Sequence, residues 1–393
     1  MKVEQVATLS NTAIAAATGE QNVMNLDLSN VVDAGRRVFA AGDNVVDNYV
    51  REIYNQIGKM VFDDRVYRGA VPSVIRDAWT FGSITEKIRI EIPDAEDNPA
   101  WQLINGQTYN QDKFYQPKAI VKLWNDRTTF MIPMSLTEKQ VKESFQNAYQ
   151  LNAFFDMIYN AIDKGMTLRL DELVRLTINN MIAITLTNVL GGAVTDASTI
   201  PTTDPKVVNL LTEYNQQFGT SLTQAQALLD KDFLRYAALR IKQTLYRMKD
   251  ITVLYNVDGA KKFTPPDLMH VVLLNDFKTA AEVYLYDANG QFLIENLKVD
   301  GEVVNFWQGA GTDYKFGNTS KIDVIESQSG TACELSGIIG IAFDRDALGV
   351  ANLDRTIRVH RNDIGEFESH FVKATAGYWN DPAEQFVVFV VHS

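Results

Sequence analysis

Glu86-Lys87-Ile88-Arg89-Ile90-Glu91-Ile92-Pro93 and, across a connection of about twenty residues, Lys118-Ala119-Ile120-Val121-Lys122-Leu123-Trp124 are the two runs that decide the fold. Ile88, Ile90 and Ile92 alternate with Arg89 and Glu91, the two-residue period of a half-buried strand, and Pro93 ends it. Ala119, Val121 and Leu123 alternate with Lys118, Ile120 and Lys122 and form the return strand. Between them, Asp94 to Gln116 carries Asn98-Pro99, Asn105-Gly106 and the aromatics Trp101, Tyr109, Phe114 and Tyr115. A lone two-stranded ribbon is marginal in water, and long structureless connections inside compact domains are uncommon unless they are functional. The arm is therefore expected to lie on something else, first of all a neighbouring copy of the chain. The four aromatics are the expected anchors of that contact; the alternative is that they pack within their own chain.

Helical patterns flank the ribbon. Upstream, Val46, Tyr49, Val50, Ile53, Tyr54, Ile57, Met60 and Val61 recur at helical spacing after Gly42-Asp43-Asn44. Residues 1–40 are rich in Ala, Asn, Thr and Ser with few large apolar groups, and read as a polar arm. Downstream, Ser135 and Glu138 have the form of a capping box, and Thr137 with Gln140 offers a second register. Val141, Phe145, Leu151, Phe155, Ile158 and Ile162 then give one long helix, and Gly165 is expected to separate it from a second that runs to Gly191-Gly192. The Thr-, Asp- and Pro-rich stretch from Gly191 to Pro205 reads as a domain crossing. Beyond it a helix carries Phe233, Leu234, Ala237, Ile241, Leu245 and Met248. Met269 to Leu274 is a strand followed by an Asn275-capped helix, and further strands are expected at Val303–Trp307, Ile322–Ile325 and Ile338–Phe343. Phe386 to Val391 is apolar on both faces and reads as a central strand.

Composition narrows the function classes. A chain of 393 residues with 46% hydrophobic and 22% charged residues is an ordinary globular protein large enough for two or three domains. Its one cysteine, Cys333, excludes an intrachain disulfide. The N-terminus lacks a charged region followed by an apolar core, so no signal peptide is expected. The longest apolar runs fall well short of the ~18 residues of a membrane span, and no membrane partner is expected. A formal charge of −12 and the lack of any Lys/Arg run argue against a surface that grips nucleic acid. The charge serves solubility; it also suits a container wall that must not stick to packed DNA.

Nothing in the chain assembles into a catalytic constellation. His270, His360, His370 and His392 show no metal-ligand spacing, and His360 and His370 lack a third ligand. Cys333 reads as a small buried hydrophobe rather than a nucleophile. Gly309-Ala310-Gly311 lacks the Lys-Ser or Lys-Thr of a phosphate loop. Asp63-Asp64 and Asp344/Asp346, interleaved with Arg65 and Arg345, read as solvated ion-pair edges. No cofactor and no metal are expected.

The segment Ile338-Ile339-Gly340-Ile341-Ala342-Phe343-Asp344-Arg345-Asp346-Ala347-Leu348-Gly349-Val350 resembles a stretch of the major capsid proteins of tailed bacteriophages. Gly377-Tyr378-Trp379-Asn380-Asp381 leading to Phe386-Val387-Val388-Phe389 resembles that family's closing strands, with Glu366-Phe367 before it. Leu254-Tyr255-Asn256, Phe263-Thr264-Pro265, Val271 to Phe277, and Trp307-Gln308-Gly309 through Tyr314 resemble it upstream. The likeness covers most of residues 40 to 391. It implies an α+β fold of the lambdoid type: an N-terminal arm over 1–40, an extended β-hairpin loop over 80–133, and a discontinuous peripheral domain (41–79, 134–190 and 346–393) with a long spine helix. An axial domain over 191–345 completes it.

The resemblance further implies self-assembly into hexamers and pentamers of an icosahedral head enclosing double-stranded DNA, without sequence-specific binding. The chain would be assembled in the bacterial host cytoplasm and carried in the virion, with portal, scaffolding and decoration proteins as further partners. Only about 40 residues precede the first strong helix, so separate scaffolding or none is expected. Arg36 and Arg37 are expected to pair with acids of an adjacent subunit, steering assembly more than holding it. An encapsulin-like nanocompartment shell is a second reading in the same fold. A cysteine-dependent hydrolase using Cys333 is a third, of a different class.

Overall fold

The computed structural model describes residues 3–40, 43–63, 71–76, 85–92, 95–97, 105–106, 108, 112, 114–201, 204–284, 301–308, 320–362, 364–365 and 367–392. It forms two compact units: Met1–Gly82 with Arg127–Val174 and Ala351–Gly377, and Ser83–Asp126 with Arg175–Val350 and Tyr378–Ser393.

The first helices are α1 (Val3–Thr18), α2 (Val31–Ala40) and α3 (Asp43–Asp63). Residues 3–40 are thus not the expected polar arm: Val6, Ala7, Ala13 and Ile14 are buried, in one core with Tyr49, Val50 and Ile53 of α3. Small residues misled the reading, because Ala and Ser make a face along which helices approach closely. Ser10 Oγ lies 3.4 Å from Tyr49 Oη, and a Cβ on Gly35 of α2 would fall 2.7 Å from Phe145 Cβ.

Next come β1 (Ile75–Arg76), β2 (Thr85–Ile90), β3 (Ala119–Trp124) and β4 (Arg127–Thr137). The last was not anticipated, although its inward and outward residues alternate strictly over most of its length. In α4 (Glu138–Ser144) the capping box uses the Thr137 register: Gln140 N donates to Thr137 Oγ1 (3.3 Å) and Thr137 N donates to Gln140 Oε1 (3.0 Å). Asn147 restarts the chain as α5 (Ala148–Leu190), its Oδ1 accepting from Gln150 N at 2.8 Å. The break expected at Gly165 therefore falls at 145–147. Gly165 instead serves packing, since a Cβ there would lie 3.0 Å from Ile132 Cδ1 of β4. With 43 residues, α5 is roughly 65 Å long. By length and composition it could cross a bilayer, but 67% of its most apolar window is buried inside the protein. The division between the units falls within α5, after Val174, rather than in the Gly191–Pro205 connection.

The remaining elements are β5 (Val207–Asn209), α6 (Leu210–Phe218), α7 (Gln224–Ala227), α8 (Lys231–Arg247), β6 (Met269–Leu274), α9 (Asn275–Tyr284) and β7 (Glu302–Val304). They are followed by β8 (Ile322–Ile325), β9 (Ala332–Leu335), β10 (Ile338–Asp344), β11 (Leu348–Asn362), β12 (Phe367–Asn380) and β13 (Phe386–Val390). The expected strand–helix unit at 269–284 and the strands expected at 322–325 and 338–343 are present, while the strand expected at Val303–Trp307 is the shorter β7.

The first unit holds a sheet of order β1-β11-β12-β4, in which β12 and β4 pair antiparallel from Phe367 opposite Thr137 to Gly377 opposite Arg127. Its apolar face shares a core with α1 to α5 through Leu136, Val372 and Ala374. The second unit is built on a mixed sheet of order β5-β13-β10-β6-β7. Every residue of β10 and β13 is buried, as two-faced apolar strands require. Their core includes Leu211, Phe233, Leu234, Ile241 and Phe277 of the helices α6, α8 and α9. The closing strand β13, expected in the peripheral domain, is central to this second sheet.

Candidate functional site

The ribbon of β2 and β3 belongs to the second unit. Its strands pair antiparallel, with Lys87 opposite Lys122 and Ile88 opposite Val121. One face carries Ile88, Ile90, Val121 and Leu123, which are 66%, 64%, 50% and 62% exposed. The other carries Lys87, Arg89, Ile120, Lys122 and Trp124, all half-buried. The alternation read from the sequence is correct, but within the chain the isoleucine face points to solvent and the lysine face points in.

The cause is a set of carboxylates beneath the ribbon. Two lysines directly opposite each other repel, so this pairing needs counter-charge. Asp381 accepts from both, from Lys87 Nζ at 3.0 Å and from Lys122 Nζ at 2.8 Å. Glu384 Oε1 accepts from Lys87 at 2.7 Å and from Lys262 at 2.6 Å, and Asp258 Oδ2 accepts from Lys122 at 2.7 Å. Three lysines thus meet three carboxylates. The side chains of Asp381 and Glu384 are only 2% and 6% exposed, whereas the lysines retain 21–27%. Burial pushes the Asp381 carboxyl up, but the bonds and charges of Lys122 and Lys87 outweigh it and hold it below the usual carboxylate range. Burial likewise favours neutral Lys87 and Lys122; Glu384 and Asp381 beside Lys87, and Asp258 and Asp381 beside Lys122, override it and raise both.

The carboxylates are fixed by the segments whose wording carried the family resemblance, which are distant in sequence and converge here. Asp381 N donates to Ala347 O (2.7 Å), Asp344 N to Gln385 O (2.9 Å) and Phe386 N to Tyr255 O (2.8 Å). Thr264 Oγ1 donates to Gln385 Oε1 at 2.7 Å. Gly349 is required because Trp379 lies against it: an added Cβ would be 2.3 Å from Trp379 Cζ2. A loop over 249–263 completes the site. It is pinched by Thr264 N donating to Met248 O (2.9 Å), bridged by reciprocal Thr252–Lys262 bonds of 2.8 and 3.0 Å, and turned at Gly259, whose φ is +65°. Asn256 ties the turn to Ala260 in both directions. Between loop and ribbon lies a cleft of about 630 Å³, whose lining mixes Ile90, Ile92, Ile120 and Phe263 with the charged Arg89, Glu91, Lys122, Asp258, Lys261 and Lys262.

Of the anticipated contact residues, Phe114 is 84% and Tyr115 64% exposed, with Tyr115 Oη donating to Glu96 at 3.0 Å. Trp101 and Tyr109 lie outside the described residues. Arg36 and Arg37, expected to meet another subunit, each have an acid of their own chain, Asp33 at 3.8 Å and Glu20 at 3.5 Å. The residues that hold the ribbon, namely Lys87, Lys122, Asp258, Asp381 and Glu384, were not singled out from the sequence. Two lysines in phase on paired strands were the available signal.

Cys333 is fully buried on β9, and burial pushes its thiol up to about 12. No group of three or more His, Cys, Asp or Glu side chains among the described residues is placed to hold a metal. His370 is a core residue stacked on Tyr54 at 3.9 Å. Asp344 is not a solvated edge: it is 4% exposed, and burial raises its carboxyl.

The sequence profile of the family described as Phi29-like phage major capsid protein matches residues 9–390. It bears out the capsid resemblance; the profile names the Phi29-like family and not the lambdoid type. No curated protein matches the sequence. Among solved structures, the capsid of Staphylococcus phage Andhra is similar at 11% identity, covering 84% of this chain and 86% of that one, with a TM-score of 0.49. The capsid of cyanophage P-SCSP1u is similar at 10% identity, covering 83% and 87%, with a TM-score of 0.43.

Proposed function

The chain belongs to the Phi29-like phage major capsid protein family, and from that membership we propose that it builds the icosahedral head of a tailed double-stranded DNA phage from hexamers and pentamers. The family is structural, and its members assemble with copies of themselves into the capsid shell, which places this chain in the virion. We read the role as architectural and not enzymatic, with assembly in the host cytoplasm. Portal, scaffolding and decoration proteins are the further partners of this reading. DNA is enclosed rather than bound by sequence, in keeping with a formal charge of −12.

The observation that supports the reading is the outward isoleucine face of the ribbon. Exposed apolar side chains contiguous on one rigid face mark an interaction surface, and here the ion cluster spends the opposite, polar face on the chain itself. The ribbon is thus held ready with its adhesive side free, and a neighbouring copy would cover it. Phe114 and Tyr115, exposed at the start of the return strand, extend the same contact in this reading. Many modest contacts of this kind, repeated around a closed shell, give large total stability while single subunits still detach to correct errors.

Sedimentation and electron microscopy of the expressed chain test the proposal. Closed shells or rings are expected, with or without a co-expressed scaffold. A chain that stays monomeric at high concentration under both conditions would remove the shell reading.

A further inference from the structure

The charge of the chain is unevenly spread. Residues 210–249, which fold as α6, α7 and α8, hold six Lys or Arg against three acids, in a chain whose formal charge is −12. From Arg235 to Lys249 there are five basic residues and no acid. The three acids are occupied within the segment. Glu213 accepts from Arg240 Nε at 2.8 Å and Nη2 at 3.0 Å, and from Tyr236 Oη at 3.2 Å. Asp230 Oδ1 caps α8, accepting from Phe233 N at 2.7 Å, and Asp232 faces Arg235 at 3.4 Å. What the segment presents outward is therefore positive.

Arg235, Leu239, Gln243 and Arg247 follow one another at four-residue steps and form a single exposed row on α8, roughly 18 Å long. Between α6 and α8 lies an open concavity of about 680 Å³, which Gln216, Gln217, Gln243 and Arg247 line with Phe218, Leu239 and the Glu213–Arg240 pair. The side chains of Gln216, Gln217, Gln243 and Arg247 make no hydrogen bond or ion pair among the described residues. Lys249 lies over the Tyr246 ring at 4.3 Å, a contact that leaves its charge uncancelled. The helix dipole accounts for cations in the last turn of α8. It does not account for Arg235, or for three idle amides shared between two helices. Guanidinium and amide N–H groups on an open face suit an extended polyanion, because these are the groups that bond phosphate oxygens.

We infer that the exposed row of α8, with the amides of α6 beside it, is a contact surface for the phosphate backbone of double-stranded DNA. Arg235 and Arg247, roughly 18 Å apart along the helix, span about five base pairs of duplex. Gln216, Gln217 and Gln243 donate to phosphate oxygens between them. A contact made through phosphates carries no sequence information, and so few cations hold the wall near its contents without gripping them. The inference rests on the shell reading, which supplies DNA as the enclosed polyanion, and adds to it the surface that faces the DNA.

Fluorescence anisotropy of a labelled 30-base-pair duplex, titrated with the unassembled full chain between 25 and 150 mM salt, tests it. Expected is binding that weakens with salt and is the same for two duplexes of unrelated sequence. Arg247→Gln removes one phosphate contact, so the slope of log affinity against log salt should lose about 0.9, and affinity at 0.1 M salt should fall about eightfold. Arg247 is exposed and unpaired, so the replacement leaves the fold intact. Arg247→Lys should keep the slope, and Lys118→Gln, an exposed cation outside α8, should change nothing. No binding at 25 mM salt overturns the inference. So does an Arg247→Gln chain that binds as the unsubstituted one, which puts the contact elsewhere, or competition in which polyglutamate displaces the duplex at equal charge, which makes the partner an acidic protein. Each of these leaves the shell reading standing, since particle formation by the unsubstituted chain decides that reading separately.

Discussion

Replacing Asp381 with asparagine isolates the cause of the ribbon's orientation. Asp381 is the only described carboxylate bonded to both facing lysines, at 3.0 and 2.8 Å, and its side chain is 2% exposed. Removing one partner of a buried ion pair costs about 3–5 kcal/mol when the other charge is trapped. Here Lys87 and Lys122 keep 25% and 27% of their side chains in solvent, and the asparagine oxygen still accepts a bond, so the expected loss is about 2–3 kcal/mol. The loss should appear first as local opening, because the two-stranded ribbon has little else to hold it. Amide hydrogen exchange of the unassembled subunit reads it directly. Protection over 85–90 and 119–124 should fall by about 30- to 150-fold at ~1.4 kcal/mol per decade, while β10 and β13 keep theirs. Lys118→Ala is the control, because the Lys118 side chain is 80% exposed and its 3.7 Å pair with Glu91 should contribute nothing measurable. Ribbon exchange in Asp381→Asn within threefold of the unsubstituted chain would refute the reasoning.

The same cluster sets a pH window. Asp381 is lowered in the folded chain, so its contribution is present above the unfolded value of about 3.9 and is lost only as pH falls through the lower folded value. Lys87 and Lys122 are raised, so theirs is complete below about 10.4 and is lost as pH rises through the higher folded values. Ribbon protection should therefore be flat between about pH 5 and 9. Asp344→Asn should behave with the opposite sign to Asp381→Asn. Burial raises Asp344, so its ionised form costs stability as pH rises past about 4, and asparagine should match or exceed the native chain in urea denaturation at pH 7. Gly349→Ala should cost about 1–3 kcal/mol, read as a lowered urea midpoint, because the new methyl meets the Trp379 ring. Ile90→Asp should leave subunit stability within about 0.5 kcal/mol yet abolish particles in sedimentation. Iodoacetamide at pH 8 should leave Cys333 unmodified in the folded chain and alkylate it fully in urea, as followed by intact mass.

Local pattern alone was enough for many elements. The stripe from Val46 to Ile57, the all-apolar runs of β10 and β13, the strand–helix unit at 269–284 and the two strands of the ribbon follow from periods of 3.6 and 2 and from caps. The family resemblance was also legible in the stretches around Ala342–Val350 and Gly377–Asp381, which the fold brings together at Gly349 and Trp379. Only the tertiary structure could decide which face of the ribbon turns inward. A two-residue period separates isoleucines from lysines without ranking them, and the ranking came from Asp258, Asp381 and Glu384, more than a hundred residues away in sequence. The helices of residues 3–40 and the continuity of α5 through Gly165 were hidden for a related reason. Small residues carry a weak hydrophobic signal, and the close approach they permit gains its value only from the partner, Tyr49, Phe145 or Ile132, that the fold brings against them.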